Sequence, residues 1–174
     1  MAAAAVAGKA RLLALLAFFA GGAALGAGAA PSAFDLAGRY THSFRNGTVD
    51  GSRFTSTDTL LIVPTDDRHV VFSLDLAFFN GHMCGIGGRA RLEGDALVYR
   101  DPEMTGYGTG GSCTLRIRRA NGRIVWSDAG TCAGYCGARG SLDGGGMAWS
   151  SRRAIPRAER RRILRDYERA RNRP

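Results

Sequence analysis

Beyond its first thirty residues this 174-residue chain contains no lysine, and it has only three histidines. Each scarcity excludes something. No two of His42, His69 and His82 stand at the short spacing of a metal-binding pair. No G-x-S-x-G elbow occurs, and no Ser, His and acid arrangement suggests itself. The glycine-rich run Gly106-Tyr107-Gly108-Thr109-Gly110-Gly111 is followed by Cys113 and a strand-like segment. A phosphate loop would need a Lys-Ser/Thr pair and a helix there. The expectation is therefore a protein with no catalytic centre, no metal and no cofactor. After residue 30 no apolar run approaches the about 20 residues that a membrane span takes, so the mature product is expected to be soluble.

The amino terminus is rich in what the rest lacks. Lys9 and Arg11 precede the apolar stretch LLALLAFFA at residues 12–20, and a small-residue run with Ala27-Gly28-Ala29 follows. This is the layout of a secretory signal cleaved before Ala30. The domain reading is a signal peptide at 1–29, a disulfide-bonded body at 30–153 and an arginine-rich carboxy-terminal helix or tail at 154–174. A bacterial periplasm, or the medium outside it, is the expected destination.

All four cysteines, Cys84, Cys113, Cys132 and Cys136, lie in the body. An even count in an exported chain reads as two disulfides, with three possible connectivities. A four-cysteine zinc site fits poorly, because paired short C-x-x-C knuckles are absent.

Charge is unevenly placed. Residues 31–151 carry twelve Arg and twelve Asp plus Glu, whereas residues 152–174 carry ten Arg against Glu159, Asp166 and Glu168. The basic excess of the mature chain therefore sits in its tail.

The middle reads as strand after strand. In residues 69–79, Val70, Phe72, Leu74, Leu76 and Phe78 alternate with more polar neighbours, the period of a half-buried strand. Residues 36–45 alternate similarly, with Gly38, Tyr40, His42 and Phe44 on one face. Residues 55–63 are rich in β-branched side chains and end at Pro64. Tight hairpins are predicted at Glu93-Gly94-Asp95-Ala96 and Ala120-Asn121-Gly122-Arg123. Their two-residue loops fix the register: Leu92 faces Leu97, Ala90 faces Tyr99 and Ile117 faces Trp126. The second register sets Cys113 opposite Gly130 with Cys132 one step diagonal, which favours Cys113–Cys132 and Cys84–Cys136 if a bulge closes the gap. A last hairpin is read at 138–142 and 146–152. The fold class expected is all-β: a single antiparallel up-and-down barrel of about eight strands. In the tail, Pro156 suits a first helical turn, and Ile163, Leu164, Tyr167 and Ala170 share one side of an amphipathic helix that can dock on the barrel.

The opening Gly38-Arg39-Tyr40, the run of up-and-down strands and the outer helix together resemble lipocalin-like small barrels, which open on G-x-W. The resemblance spans residues 36–167 at the level of topology. It implies a ligand cavity or a surface that binds another protein.

Candidate contacts follow from that reading. Tyr40, His42, Phe72 and Trp126 lie on the predicted inward face. Tyr107 is at the tip of a rim loop that could act as a lid. Arg139, in Tyr135-Cys136-Gly137-Ala138-Arg139-Gly140, could grip an anion with two parallel hydrogen bonds; the alternative is a tight bend with a solvated Arg139. His82 reads as a turn residue beside a disulfide, and Asp66-Asp67 and Asp101-x-Glu103 as turn acids. The tail arginines, Arg157, Arg160, Arg161, Arg162, Arg165 and Arg169, form a solvated helix face or a contact with an anionic envelope surface. Nucleic acid is not expected as a partner, because only Tyr167 is interleaved with them. The expected partner is an apolar small ligand or an envelope or foreign protein.

Overall fold

Period-two alternation builds eight strands in chain order: β1 (Gly38–Gly47), β2 (Arg53–Pro64), β3 (His69–Ala77), β4 (Met83–Glu93), β5 (Ala96–Asp101), β6 (Cys113–Ala120), β7 (Arg123–Ser127) and β8 (Gly146–Ala148). The computed structural model describes residues 31–104 and 111–172. The signal segment and Tyr107 lie outside the described residues. Every strand pairs antiparallel with the next, giving one sheet in the order β1 to β8. Just past β8, the backbones of Arg39 and Arg153 exchange hydrogen bonds of 2.9 and 2.8 Å. That bridge brings β1 to the end of the sheet, so the barrel is nearly closed and few edge groups stay unpaired. The topology is compatible with that of lipocalin-like barrels.

The two tight hairpins form as their sequences require. Asn121 and Gly122 both have positive φ, 49° and 70°, which the two-residue turn demands. The predicted facing pairs Leu92–Leu97 and Ile117–Trp126 are present. Ala90 and Tyr99 do not pair: β4 and β5 are joined only over Arg91–Glu93 and Ala96–Val98, and then part. The ring of Tyr99 lies across Gly88, where a Cβ would come within 2.6 Å of it.

Inward residues fill the barrel. Tyr40, Leu60, Leu74, Leu97, Leu115, Ile117 and Ile124 are fully buried, and Phe72 meets Tyr99 edge-on at 5.3 Å. Each such side chain contributes about 1.5–3 kcal/mol through burial. Tyr40 donates from its hydroxyl to the Leu36 carbonyl at 2.9 Å, and its ring lies 5.6 Å from Trp149. Desolvation pushes the Tyr40 phenol up to about 12, against the opposing fields of Arg152 and Arg119.

Both disulfides are formed, Cys84–Cys136 and Cys113–Cys132. A turn, not a bulge in the strand, closes the second gap. After β7 the Asp128 carboxylate accepts from the Gly130 and Cys132 amides, at 3.1 and 2.7 Å, and Ala129 and Gly130 take positive φ. Cys132 is thereby turned back onto Cys113. Two disulfides suit an oxidising compartment outside the cytoplasm.

The expected strand at 138–142 is absent; that stretch is loop. Its backbone is committed elsewhere: the Gly137 amide donates to the Met83 carbonyl at 2.8 Å, and Gly140 closes a turn back to Gly137. Gly140 also lies against the disulfide, where a Cβ would come within 2.6 Å of Cys84 Sγ.

The tail forms helix α1 (Arg157–Arg171), entered through Pro156. Glu159 pairs with Arg39 at 2.5 Å and Arg160 donates to the Pro64 carbonyl at 2.6 Å, fixing the first turn over β2. Ile163, Leu164 and Tyr167 are half-buried, as expected of the docked side, but Ala170 is exposed.

Candidate functional site

The two ends of the barrel differ. At one end β2–β3, β4–β5 and β6–β7 are joined by short turns. At the other end lie the longer connections 48–52, 78–82 and 128–145. Loops of that kind, held on a rigid sheet, are where binding surfaces form.

Apolar side chains gather at this loop-bearing rim. Val49, Phe54, Phe79 and Met83 are between 41% and 74% exposed, and they make up four of the five large exposed hydrophobics among the described residues. The fifth, Phe34, lies elsewhere, beneath the guanidinium of Arg160. The rim is held together by polar contacts. Asn46 donates through Nδ2 to Ser56 Oγ at 2.9 Å and to the Phe78 carbonyl at 3.0 Å, tying β1 to β2 and to the end of β3. Asn80, at positive φ in the β3–β4 connection, accepts from the Val49 amide at 3.3 Å. The two hairpin tips therefore touch.

Between them opens a groove of about 670 Å³, bordered by His42, Phe44, Asn46, Asp58, Phe78 and Phe79. His42 stacks on Phe44 at 5.4 Å, and its Nδ1 lies 3.6 Å from Asp58 Oδ2. Asp58 is largely enclosed and accepts from the Ala77 amide at 2.8 Å. A second groove of about 320 Å³ adjoins the first across Asp58 and Phe78 and is bordered by Trp126, Ser141 and Asp143. An apolar concavity with a few converging polar groups is the usual form of a ligand site.

Sequence reasoning placed some of these residues and missed others. His42 has the inward register expected of it, but β1 overhangs the barrel there, so its side chain is 60% exposed and borders the groove. Trp126 is a core residue whose ring forms one groove wall. Tyr40 and Phe72 are packed in the core, below both grooves. Arg139 is exposed and has no ion-pair partner among the described residues; the bend around it is the turn from Gly137 to Gly140. His82 stands in the β3–β4 connection, against Gly137 of the disulfide loop. Asp66 caps its turn, accepting from the Arg68 and His69 amides, and those bonds hold its carboxyl below the usual range. No group of three His, Cys, Asp or Glu able to hold a metal occurs among the described residues.

Phe54, Phe79, Met83 and Asp58 were not singled out from the sequence. Phe79 sits just past the end of β3 and Met83 is the first residue of β4, where alternation barely says which way a side chain points. The available signal was the cluster Phe78-Phe79-Asn80-Gly81, since two aromatics beside a turn put at least one of them in solvent.

Comparison with protein-family models, with curated proteins and with solved structures finds no match to this chain.

Proposed function

We propose that this protein is an exported, lipocalin-like binding module that takes an apolar ligand, or an apolar patch of an envelope or foreign protein, at the open rim of its barrel. The observation that carries the reading is the gathering of Val49, Phe54, Phe79 and Met83 at one end. An exposed apolar patch forgoes about 25 cal/mol for each Å² left in water, and such patches mark interaction sites. The interior is a weaker candidate, because Tyr40, Phe72 and their neighbours fill it. The signal-like amino terminus and the two disulfides support export. No catalytic step belongs to this reading.

Titration with a hydrophobic dye, followed by Trp fluorescence, tests it. The F79S/M83S variant removes side chains that are more than half exposed, so its melting temperature should fall only slightly while dye affinity falls about tenfold, the equivalent of roughly 1.4 kcal/mol. Equal affinity in the two proteins would rule out the rim.

A second reading concerns helix α1. Arg157, Arg161, Arg165 and Arg169 recur every fourth residue and are all exposed. On a helix they form one stripe about 18 Å long. The first three have no ion-pair partner among the described residues, whereas Arg169 lies 3.7 Å from Asp166. Arg162 is exposed beside the stripe, and Arg160 is used in docking. Such a stripe suits an anionic lipid surface, each arginine adding about 1 kcal/mol. Wild type should sediment with phosphatidylglycerol vesicles at low salt, and R157Q/R161Q/R165Q should not. Salt-insensitive or equal sedimentation would dismiss the reading.

A further inference from the structure

The neutral composition of the body conceals a division of charge that only the sheet register reveals. Arg89 and Arg91 on β4, Arg100 on β5, and Arg116 and Arg118 on β6 alternate with buried inward residues and face outward together. Pairing sets His69, Arg91, Val98 and Arg116 in one row across β3 to β6. Adjacent strands lie about 4.8 Å apart, so Arg91 and Arg116 flank Val98 at roughly 10 Å, within reach of one bound group.

Two carboxylates answer these five arginines. Glu93 holds Arg100 through two bonds of 2.6 and 2.9 Å. Asp66 is engaged by the His69 ring at 2.9 Å and lies 3.8 Å from Arg89. Arg91, Arg116 and Arg118 have no carboxylate partner among the described residues. The Glu93 carboxyl is held below its usual range by Arg100 first, and the fields of Arg116 and Arg91 add to the effect. No two of the five arginines stand directly opposite one another, but they share one face with few carboxylates, so an anion among them would offset their mutual repulsion.

The wall also carries a shallow, open groove. Where β4 and β5 part, beyond Arg91 and Val98, a groove of about 360 Å³ opens, lined by His69, Arg89, Ala90, Arg91, Val98 and Arg100. We propose that this groove binds a compact, multiply charged oxyanion, a phosphoryl or pyrophosphoryl group, through Arg89 and Arg91, with Arg116 contributing from β6. Guanidinium forks match the paired oxygens of such a group. Three guanidiniums gathered around Val98 within about 10 Å suit one compact, multiply charged group better than an extended lipid surface. The site lies on the barrel wall, shares no residue with the rim grooves, and does not depend on the rim reading.

Calorimetric titration of the protein with pyrophosphate, in low-salt buffer free of phosphate, is the test. Saturable one-to-one binding is expected. R89Q/R91Q should bind at least about tenfold more weakly, while R157Q/R161Q/R165Q should bind as wild type does. Pyrophosphate should also raise the melting temperature of wild type above that in sodium chloride of equal ionic strength, and raise that of R89Q/R91Q by less at the same concentration. The proposal is overturned if wild type shows no saturable binding, if R89Q/R91Q binds as tightly as wild type, or if the loss follows the helix variant instead. It is overturned as well if phosphatidylglycerol vesicles bind through Arg89 and Arg91 and pyrophosphate does not, for the wall is then a membrane face.

Discussion

C84A/C136A is expected to lose roughly 4 kcal/mol of stability and C113A/C132A roughly 3 kcal/mol, from the entropy that each cross-link removes from the unfolded chain. The difference follows from loop length, since the bridged residues are 52 apart in the first pair and 19 apart in the second. The loops are nested, so the quadruple variant should lose less than the sum. The 84–136 bridge also has a native-state task. β5 pairs with only three residues of β4, so the first half of β4 has no strand beside it on that side. The segment around Cys136 takes that place, with an antiparallel bridge at Cys84 and the Gly137 amide on the Met83 carbonyl. Urea unfolding of the two double variants measures the costs. A smaller loss for C84A/C136A than for C113A/C132A would contradict both the loop argument and the edge argument. Domains of this size hold about 5–15 kcal/mol in total, so reduction of both bridges should leave the fold marginal.

G145A is expected to cost about 1–3 kcal/mol, with G145V costing more, because neither side chain fits. A Cβ at Gly145 would come within 2.3 Å of the Trp126 indole, at Nε1 and Cε2. The Gly145 carbonyl also accepts from the Trp126 amide at 3.0 Å, so the backbone cannot back away without losing that bond. Trp126 is 4% exposed and walls the smaller rim groove. Displacing its ring should therefore shift its fluorescence as well as lower the melting temperature. G144A is the control. Gly144 has φ 74° with nothing within 4 Å of a Cβ, so alanine there costs about 1–2 kcal/mol through the backbone alone and should leave the Trp126 spectrum unchanged. Equal spectral shifts in the two variants would show that the indole is not seated on Gly145.

The glycine pair illustrates how far the primary structure can be read. Asp143-Gly144-Gly145 reads as the turn of a hairpin joining 138–142 to 146–152, but 138–142 is loop and β8, only Gly146–Ala148, pairs with β7 instead. Only one of the two glycines has a left-handed conformation; the other is small because a ring from β7 lies on it. Similarly, Tyr40 and Phe72 read as inward, which they are, but inward does not distinguish a residue lining a cavity from one filling the core. Arg89-x-Arg91 and Arg116-x-Arg118 show the spacing of two that puts each pair on one face. Their meeting on one wall depends on Val98 standing between them.

The features legible along the chain are local ones. Alternation set the strands, Asn-Gly and Gly-Asp set two hairpins and their register, the period change set helix α1, and the second hairpin favoured the disulfide pairing. These features depend on residues a few positions apart, so short-range geometry decides them. The tertiary structure alone decided the Arg39–Arg153 bridge that nearly closes the barrel, the parting of β4 from β5, the loop where a strand was expected at 138–142, the apolar rim and the basic wall. Each of these depends on how distant strands are placed side by side, and on what covers a side chain once they are. Burial and field are sums over neighbours that the chain brings together only when the sheet curls round on itself.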